Sequence, residues 1–252
     1  VNTTKSSSGV SRVSMDVTVA VTGATSGIGR AVATAFVDEG ATVAVSGRDG
    51  AAVEETVETL TDREETTEAD AAGTVWGTRA DVRDEFDLER FFERATAALG
   101  PIDVVVANAA VFAGAPGESP IGEVSYETFD DTMRTNARGV FATITEAVPH
   151  LADDARVLVP SGSVAHEVKP GMGAYGVSKA AAEGVARSFA ADLKAAVGVV
   201  DPGLVATDLT GMERARDPES VAPLFVWAAT KAPEDDLDGD RIGLREWKRA
   251  TR

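Results

Sequence analysis

Val17-Thr-Val-Ala-Val21-Thr22-Gly23-Ala-Thr-Ser26-Gly27-Ile28-Gly29 is the stretch that decides the fold. The run Val17 to Val21 is short, apolar and rich in β-branched residues, so it reads as a strand. Three glycines interrupt it, and the apolar positions then change period, recurring at Ile28, Ala31, Val32, Ala35 and Phe36 as on one side of a helix. The spacing therefore predicts a strand that turns sharply into a helix. Glycine lets a main chain come close to a bound group, and the first turn of a helix favours negative charge. Gly23, Ser26, Gly27, Ile28 and Gly29 are thus candidates to cradle a pyrophosphate. A tight turn without any ligand would use the same glycines, so this loop alone does not settle function.

Working outward, the pattern alternates. Gly40 ends the first helix, Ala41 to Ser46 reads as a second strand, and Ala51 to Leu60 as a helix. A third strand is expected over Val75 to Ala80 and a helix over Asp84 to Leu99, stopped by Gly100-Pro101. The nearly all-apolar Ile102 to Ala107 suits a central parallel strand covered on both faces. A long helix with an interruption or bend near Gly139 is expected over Ser125 to Leu151, then a fifth strand over Arg156 to Pro160. Tyr175 to Ala196 reads as a helix of small residues, Val197 to Val200 as a sixth strand, Pro218 to Lys231 as a helix and Arg241 to Leu244 as a seventh strand. The fold class is α/β, a single doubly wound parallel sheet of about seven strands with helices on both faces, its ligand at the strands' C-terminal ends.

The 252 residues suit one domain over 15–252, preceded by a polar segment at 1–14 read as a flexible tail. No cysteine is present, which excludes disulfides and thiolate metal sites, and His150 and His166 are not spaced as a metal pair. No metal is expected. The absence of an apolar leader or membrane-length run makes the cytoplasm the default location. Asp and Glu number 41 against 24 Lys and Arg, a formal charge of −17, so nucleic acid is not an expected partner. Acidic residues crowd 62–70 and 234–240, the pattern of a solvated acidic surface or of a halophile's enzyme whose self-repulsion is screened in concentrated salt.

Tyr175 and Lys179 stand four residues apart and project from one helix face. A free phenol has a pKa of about 10, and a neighbouring ammonium stabilises the phenolate, which makes Tyr175 a candidate general acid and base. A proton donor and a dinucleotide loop in one chain imply carbonyl reduction or its reverse. Cofactor choice is legible at the end of the second strand, in Ser46-Gly47-Arg48. An acidic residue there would bond a ribose 2′-hydroxyl and repel a 2′-phosphate; Arg48 would instead meet the phosphate. NADP(H) is therefore preferred over NAD(H), with Asp49 the residue that keeps NAD(H) open.

The spacing Gly-x3-Gly-x-Gly, together with Tyr-x3-Lys, resembles the short-chain dehydrogenase/reductase family from about Val17 to Leu209. The resemblance implies a Rossmann-type sheet and pro-S hydride transfer to a small carbonyl or alcohol substrate, in homotetramers or homodimers. It assigns Asp81-Val82 to the adenine end and aligns Ala107-Asn108-Ala109-Ala110 with the family's Asn-Asn-Ala-Gly, keeping one Asn. It makes Asn136 the anchor of a water in a proton relay, gives Lys179 a bond to the nicotinamide ribose, and sets Pro202, Gly203, Val205 and Thr207 beside the nicotinamide. The family's serine precedes the tyrosine by thirteen residues, a place held here by Gly162. Ser163 is favoured, from the likeness of Gly162-Ser163-Val164-Ala165 to the family's strand end, with Ser161 the alternative. Leu209, Met212 and Phe225 are candidates for an apolar substrate pocket or for core. A 3-oxoacyl thioester, a sugar and a secondary alcohol all remain open as substrates. A sensor or scaffold that binds NADP(H) without turnover is the alternative function, and it would not need the Asn, Ser, Tyr and Lys set.

Overall fold

Seven strands, β1 (Thr18–Thr22), β2 (Thr42–Gly47), β3 (Val75–Arg79), β4 (Ile102–Val106), β5 (Leu151–Pro160), β6 (Ala196–Asp201) and β7 (Arg241–Gly243), form one sheet in the order β3-β2-β1-β4-β5-β6-β7. Every pairing is parallel. The computed structural model describes residues 15–66, 74–167, 169–212 and 214–252. The segment 1–14 and the part of the acidic run at 67–70 lie outside the described residues.

The helices are α1 (Gly27–Asp38), α2 (Gly50–Thr66), α3 (Glu85–Leu99), α4 (Tyr126–Met133), α5 (Gly139–Ala147), α6 (Gly173–Asp192), α7 (Pro218–Thr230), α8 (Glu234–Leu237) and α9 (Leu244–Ala250). Because successive strand residues point to opposite faces, Val19 and Val21 pack with α1, α2 and α7, while Ala20 packs on the other face. There it joins Val157, Val159, Val197 and Val199 beneath α3, α5 and α6. Two hydrophobic layers thus enclose the sheet, which is why the central strands read as nearly unbroken apolar runs.

Five boundaries differ from the sequence reading. The long helix over 125–151 is divided: α4 passes into a π-helical turn at Arg134–Arg138, then α5, then a 3₁₀ turn at Val148–His150. A π turn accommodates one extra residue in the helical ladder, and here it carries the buried Thr135, Asn136 and Ala137. Strand β5 begins at Leu151, which pairs with Ile102, although its first half, with exposed Asp153 and Asp154, lacks the apolar alternation that marks a strand in the sequence. Helix α6 stops at Asp192, and β6 takes Ala196, which had been read as helical. Helix α2 runs past Leu60 to Thr66, its polar last turns tied to α1 by the bidentate Arg63–Asp38 pair at 2.6 and 2.9 Å. Leu244, read as strand, opens α9 instead. No helix among the described residues is long and apolar enough to cross a membrane.

Candidate active site

The site opens at the C-terminal ends of β1 and β4, neighbours in the sheet where the direction of winding reverses. Gly23 leaves β1 with φ +63°, a conformation that residues with a Cβ rarely adopt. The loop is held from behind by Asn108, whose Nδ2 donates to the carbonyls of Thr22 at 3.1 Å and Gly23 at 3.0 Å. Thr22 Oγ1 returns the contact by accepting from the backbone N–H groups of Asn108 and Ala109, at 3.2 and 3.3 Å. Gly29 lies where any Cβ would collide with Gly23 O and Asn108 Nδ2, so this glycine lets α1 seat against its own loop. At the start of α1, Ser26 makes no side-chain cap and the first turn carries no acid. The unsatisfied N–H groups and the positive helix end are thereby left to a ligand.

Gly23, Ser26, Gly27, Ile28, Arg48 and Val82 line this cleft together with Asn108, whereas Gly29 and Asp81 do not. Arg48 is exposed and makes no ion pair among the described residues. The neighbouring Asp49 is turned away: its Oδ1 accepts from the backbone of Ala51 at 2.9 Å and Ala52 at 3.3 Å, capping α2. Asp81 accepts from Arg83 Nη2 at 2.7 Å, and this hydrogen bond holds its carboxyl below the usual carboxylate range.

A second chamber of about 430 Å³ continues from the cleft, sharing Ile28, Asn108, Ala110, Thr207 and Leu209 with it. Tyr175 and Lys179 reach it from α6, and Pro202, Gly203, Val205, Thr207 and Met212 line it from the segment after β6. Phe225 does not line it and is instead buried in the core. The Tyr175 ring lies against Phe112, with centroids 4.9 Å apart. Lys179 Nζ donates to Pro160 O at 2.6 Å and stands 5.9 Å from the Tyr175 ring centre.

The lowered phenol pKa expected from the lysine is corrected by this geometry. Burial pushes Tyr175 up to about 12. Burial also pulls Lys179 down to about 8, with Glu183 opposing the fall. Desolvation disfavours both charged forms, and the ammonium is directed at a carbonyl instead of the phenol.

The two candidate serines are separated by their partners. Ser161 Oγ donates to Glu183 Oε1 at 2.6 Å in a buried contact. Ser163 Oγ accepts from Lys169 Nζ, and its residue opens a 3₁₀ turn on the chamber wall. Asn136 does not line the chamber. Its Oδ1 accepts from Val111 N at 2.7 Å, and its Nδ2 donates to Val111 O at 2.8 Å and Ser178 Oγ at 2.9 Å, joining the segment after β4 to α6. His150 stacks on Phe92 at 6.4 Å, away from these groups.

Residues 23–226 match the family described as enoyl-(acyl carrier protein) reductase. The chain is 36% identical over 198 residues to 2-(R)-hydroxypropyl-CoM dehydrogenase of Xanthobacter autotrophicus, covering 75% of each protein. It belongs to the short-chain dehydrogenase/reductase family. It is also 32% identical over 198 residues to NADPH-dependent aldehyde reductase 2, chloroplastic, of Arabidopsis thaliana, covering 75% of this chain and 72% of that one. The fold superposes on the alcohol dehydrogenase of the archaeon Thermococcus sibiricus complexed with 5-hydroxy-NADP, with TM-score 0.78 and 25% identity over 91% of this chain and 96% of that one. As a short-chain dehydrogenase/reductase the protein is an oxidoreductase that works on small molecules by hydride transfer.

Four residues of this short-chain dehydrogenase/reductase escaped the sequence reading. Phe112 packs on the phenol ring, Lys169 meets Ser163, and buried Glu183 forms an ion pair with half-buried Arg241. Arg241 also reaches Asp201 Oδ2 at 3.2 Å, so the ends of β5, β6 and β7 are laced to α6. Glu183 had a signal, since it follows Lys179 by four residues on the same helix face. Arg241 had none.

Proposed function

We propose that this enzyme reduces a small carbonyl compound with NADPH, with Tyr175 as proton donor. The observation that carries the reading is that Tyr175 and Lys179 open onto a chamber continuous with the glycine-loop cleft. The residues fit a dinucleotide: the uncapped start of α1 suits its pyrophosphate, and unpaired Arg48 suits a 2′-phosphate. Asp49 is occupied at the start of α2, which removes the acid that would have favoured NADH. The NADPH-dependent relative and the neighbour complexed with 5-hydroxy-NADP point the same way.

When bound, the cofactor supplies a hydride to the carbonyl carbon. Ser163 Oγ donates a hydrogen bond to the carbonyl oxygen as charge grows there, and Tyr175 gives that oxygen its proton. With its pKa at about 12, the phenol holds its proton at neutral pH, which suits reduction. Lys179, charged below about pH 8 and anchored on Pro160 O, bonds the nicotinamide ribose. Asn136, its side-chain amide fully engaged by Val111 and Ser178, keeps the wall after β4 in register with α6. Pro202, Gly203, Val205 and Thr207 of the chamber flank the nicotinamide, and Val82 of the cleft, next to Asp81, flanks the adenine end.

We further propose a cytoplasmic homotetramer or homodimer paired through α4, α5 and α6, where Phe141 and Val177 are exposed. Its −17 charge is that of a protein at home in high salt. The test is NADPH and NADH oxidation against a carbonyl panel, with and without molar KCl, alongside Ser163→Ala and Ser161→Ala. The reading expects NADPH-driven turnover that rises with KCl and collapses in S163A. NADPH binding with no turnover of any carbonyl would contradict it.

A further inference from the structure

We infer that the chamber selects substrates carrying a carboxylate close to the reacting carbonyl, and that Lys169 reads that charge. The inference rests on the reading of the chamber as the carbonyl-reduction site. Most of its wall is apolar, including Phe112, Val164, Met172, Leu204 and Met212. Three charged residues line it, namely Lys169, Lys179 and Asp201. Lys179 donates to Pro160 O, and Asp201 is paired with Arg241 at 3.2 Å while its Oδ1 accepts from Gly203 N at 2.9 Å. Lys169 alone keeps exchangeable partners, Ser163 Oγ and Glu167 Oε2, the latter at 3.3 Å on a side chain 55% exposed. An ion pair that open to water is worth at most about 1 kcal/mol, so an incoming carboxylate can take Glu167's place.

Distance sets the class. Lys169 Nζ is one hydrogen bond from Ser163 Oγ, which is one hydrogen bond from the substrate carbonyl. The ammonium therefore lies within about 6 Å of the reacting oxygen, two donor–acceptor lengths. A carboxylate one or two carbons from the carbonyl, as in 2-oxo and 3-oxo acids with an apolar tail, spans that interval. Closing off water around the pair strengthens it. A chain of formal charge −17 repels anions at long range, so an acid-binding site needs a local cation of this kind.

The test compares 2-oxo and 3-oxo acids with their methyl esters as substrates for the NADPH-loaded enzyme, in wild type, Lys169→Met and Lys169→Arg. Wild type is expected to favour acid over ester at least tenfold in kcat/KM, K169M to lose that ratio, and K169R to keep most of it. Calorimetry with hexanoate and hexanamide on the NADP⁺-bound protein gives a readout without turnover: the carboxylate should bind at least tenfold tighter, and the gap should close in K169M. Esters or neutral ketones reduced as well as acids would overturn the inference and leave the reductase reading standing. A K169M loss equal for acid and ester would overturn it too, making Lys169 a support of Ser163 instead. No oxidation of NADPH by any carbonyl would sink the reductase reading and this inference with it.

Discussion

On the β1–β2 side of the site the groups offered to a ligand are backbone N–H groups and glycines, braced by Thr22 and Asn108. On the β5–β6 side they are side chains, Ser163, Tyr175 and Lys179, braced by other side chains or by the carbonyl of Pro160. The first side is rigid, and its polarity comes from helix geometry that pH does not touch. The second gathers titratable groups out of water, which tunes their pKa values and costs stability where charges are buried. One side is built to hold and the other to react.

The contrast predicts that the holding side fails through shape. Gly29→Val, whose side chain would collide with Gly23 O and Asn108 Nδ2, should weaken NADPH binding at least about a hundredfold, or about 3 kcal/mol, read by cofactor fluorescence. Binding within threefold of wild type would show that the loop yields.

The reacting side should fail through charge. Glu183→Gln removes one partner of the half-buried Arg241 while Asp201 remains, so a loss of about 1 kcal/mol in stability is expected by denaturant titration, less than for a buried and wholly unpaired charge. The same change lets Lys179 fall further below about 8, because Glu183 is what opposes burial. The alkaline limb of kcat/KM for reduction should move to lower pH. Lys179 releases its proton near pH 8 when folded and near its ordinary 10.5 when unfolded, so the unfolded chain binds more protons between those values and stability rises with pH across that window. In E183Q the window should begin lower. An alkaline limb that stays in place would separate Glu183 from the lysine.

Smaller effects sharpen the boundary between Arg48 and Asp49. Arg48→Ala should lower the NADPH-to-NADH ratio of kcat/KM about tenfold, or about 1.4 kcal/mol. Asp49→Ala should leave that ratio alone and cost about 1 kcal/mol in stability through the lost helix cap. A shift of cofactor ratio in D49A would mean that the carboxylate faces the ribose after all.

The same contrast explains what could be read in the sequence. The glycine loop, its helix and the alternation of strands with helices follow from local pattern, since one contiguous stretch contains strand, turn and helix start. Tyr175 and Lys179 were legible because one helix carries both. The boundaries at Leu151 and Asp192 were not, since polar Asp153 and Asp154 hide a strand, and the alanines at 195–196 carry no stop signal. The π turn at Arg134–Arg138 was felt only as a bend near Gly139, and the bonds its Asn136 makes to Val111, 25 residues away, leave no mark in the local pattern. Glu183 with Arg241, 58 residues apart, and Lys169 against Ser163 meet through tertiary packing, and the raised pKa of Tyr175 is a property of burial that no spacing encodes.

Tyr175→Phe tests the account most directly, because it removes one oxygen and keeps the ring on Phe112. The account predicts that NADPH binds Y175F within about threefold of wild type while kcat for carbonyl reduction falls by about a thousandfold or more. Retained turnover in Y175F, with cofactor binding intact, would contradict it.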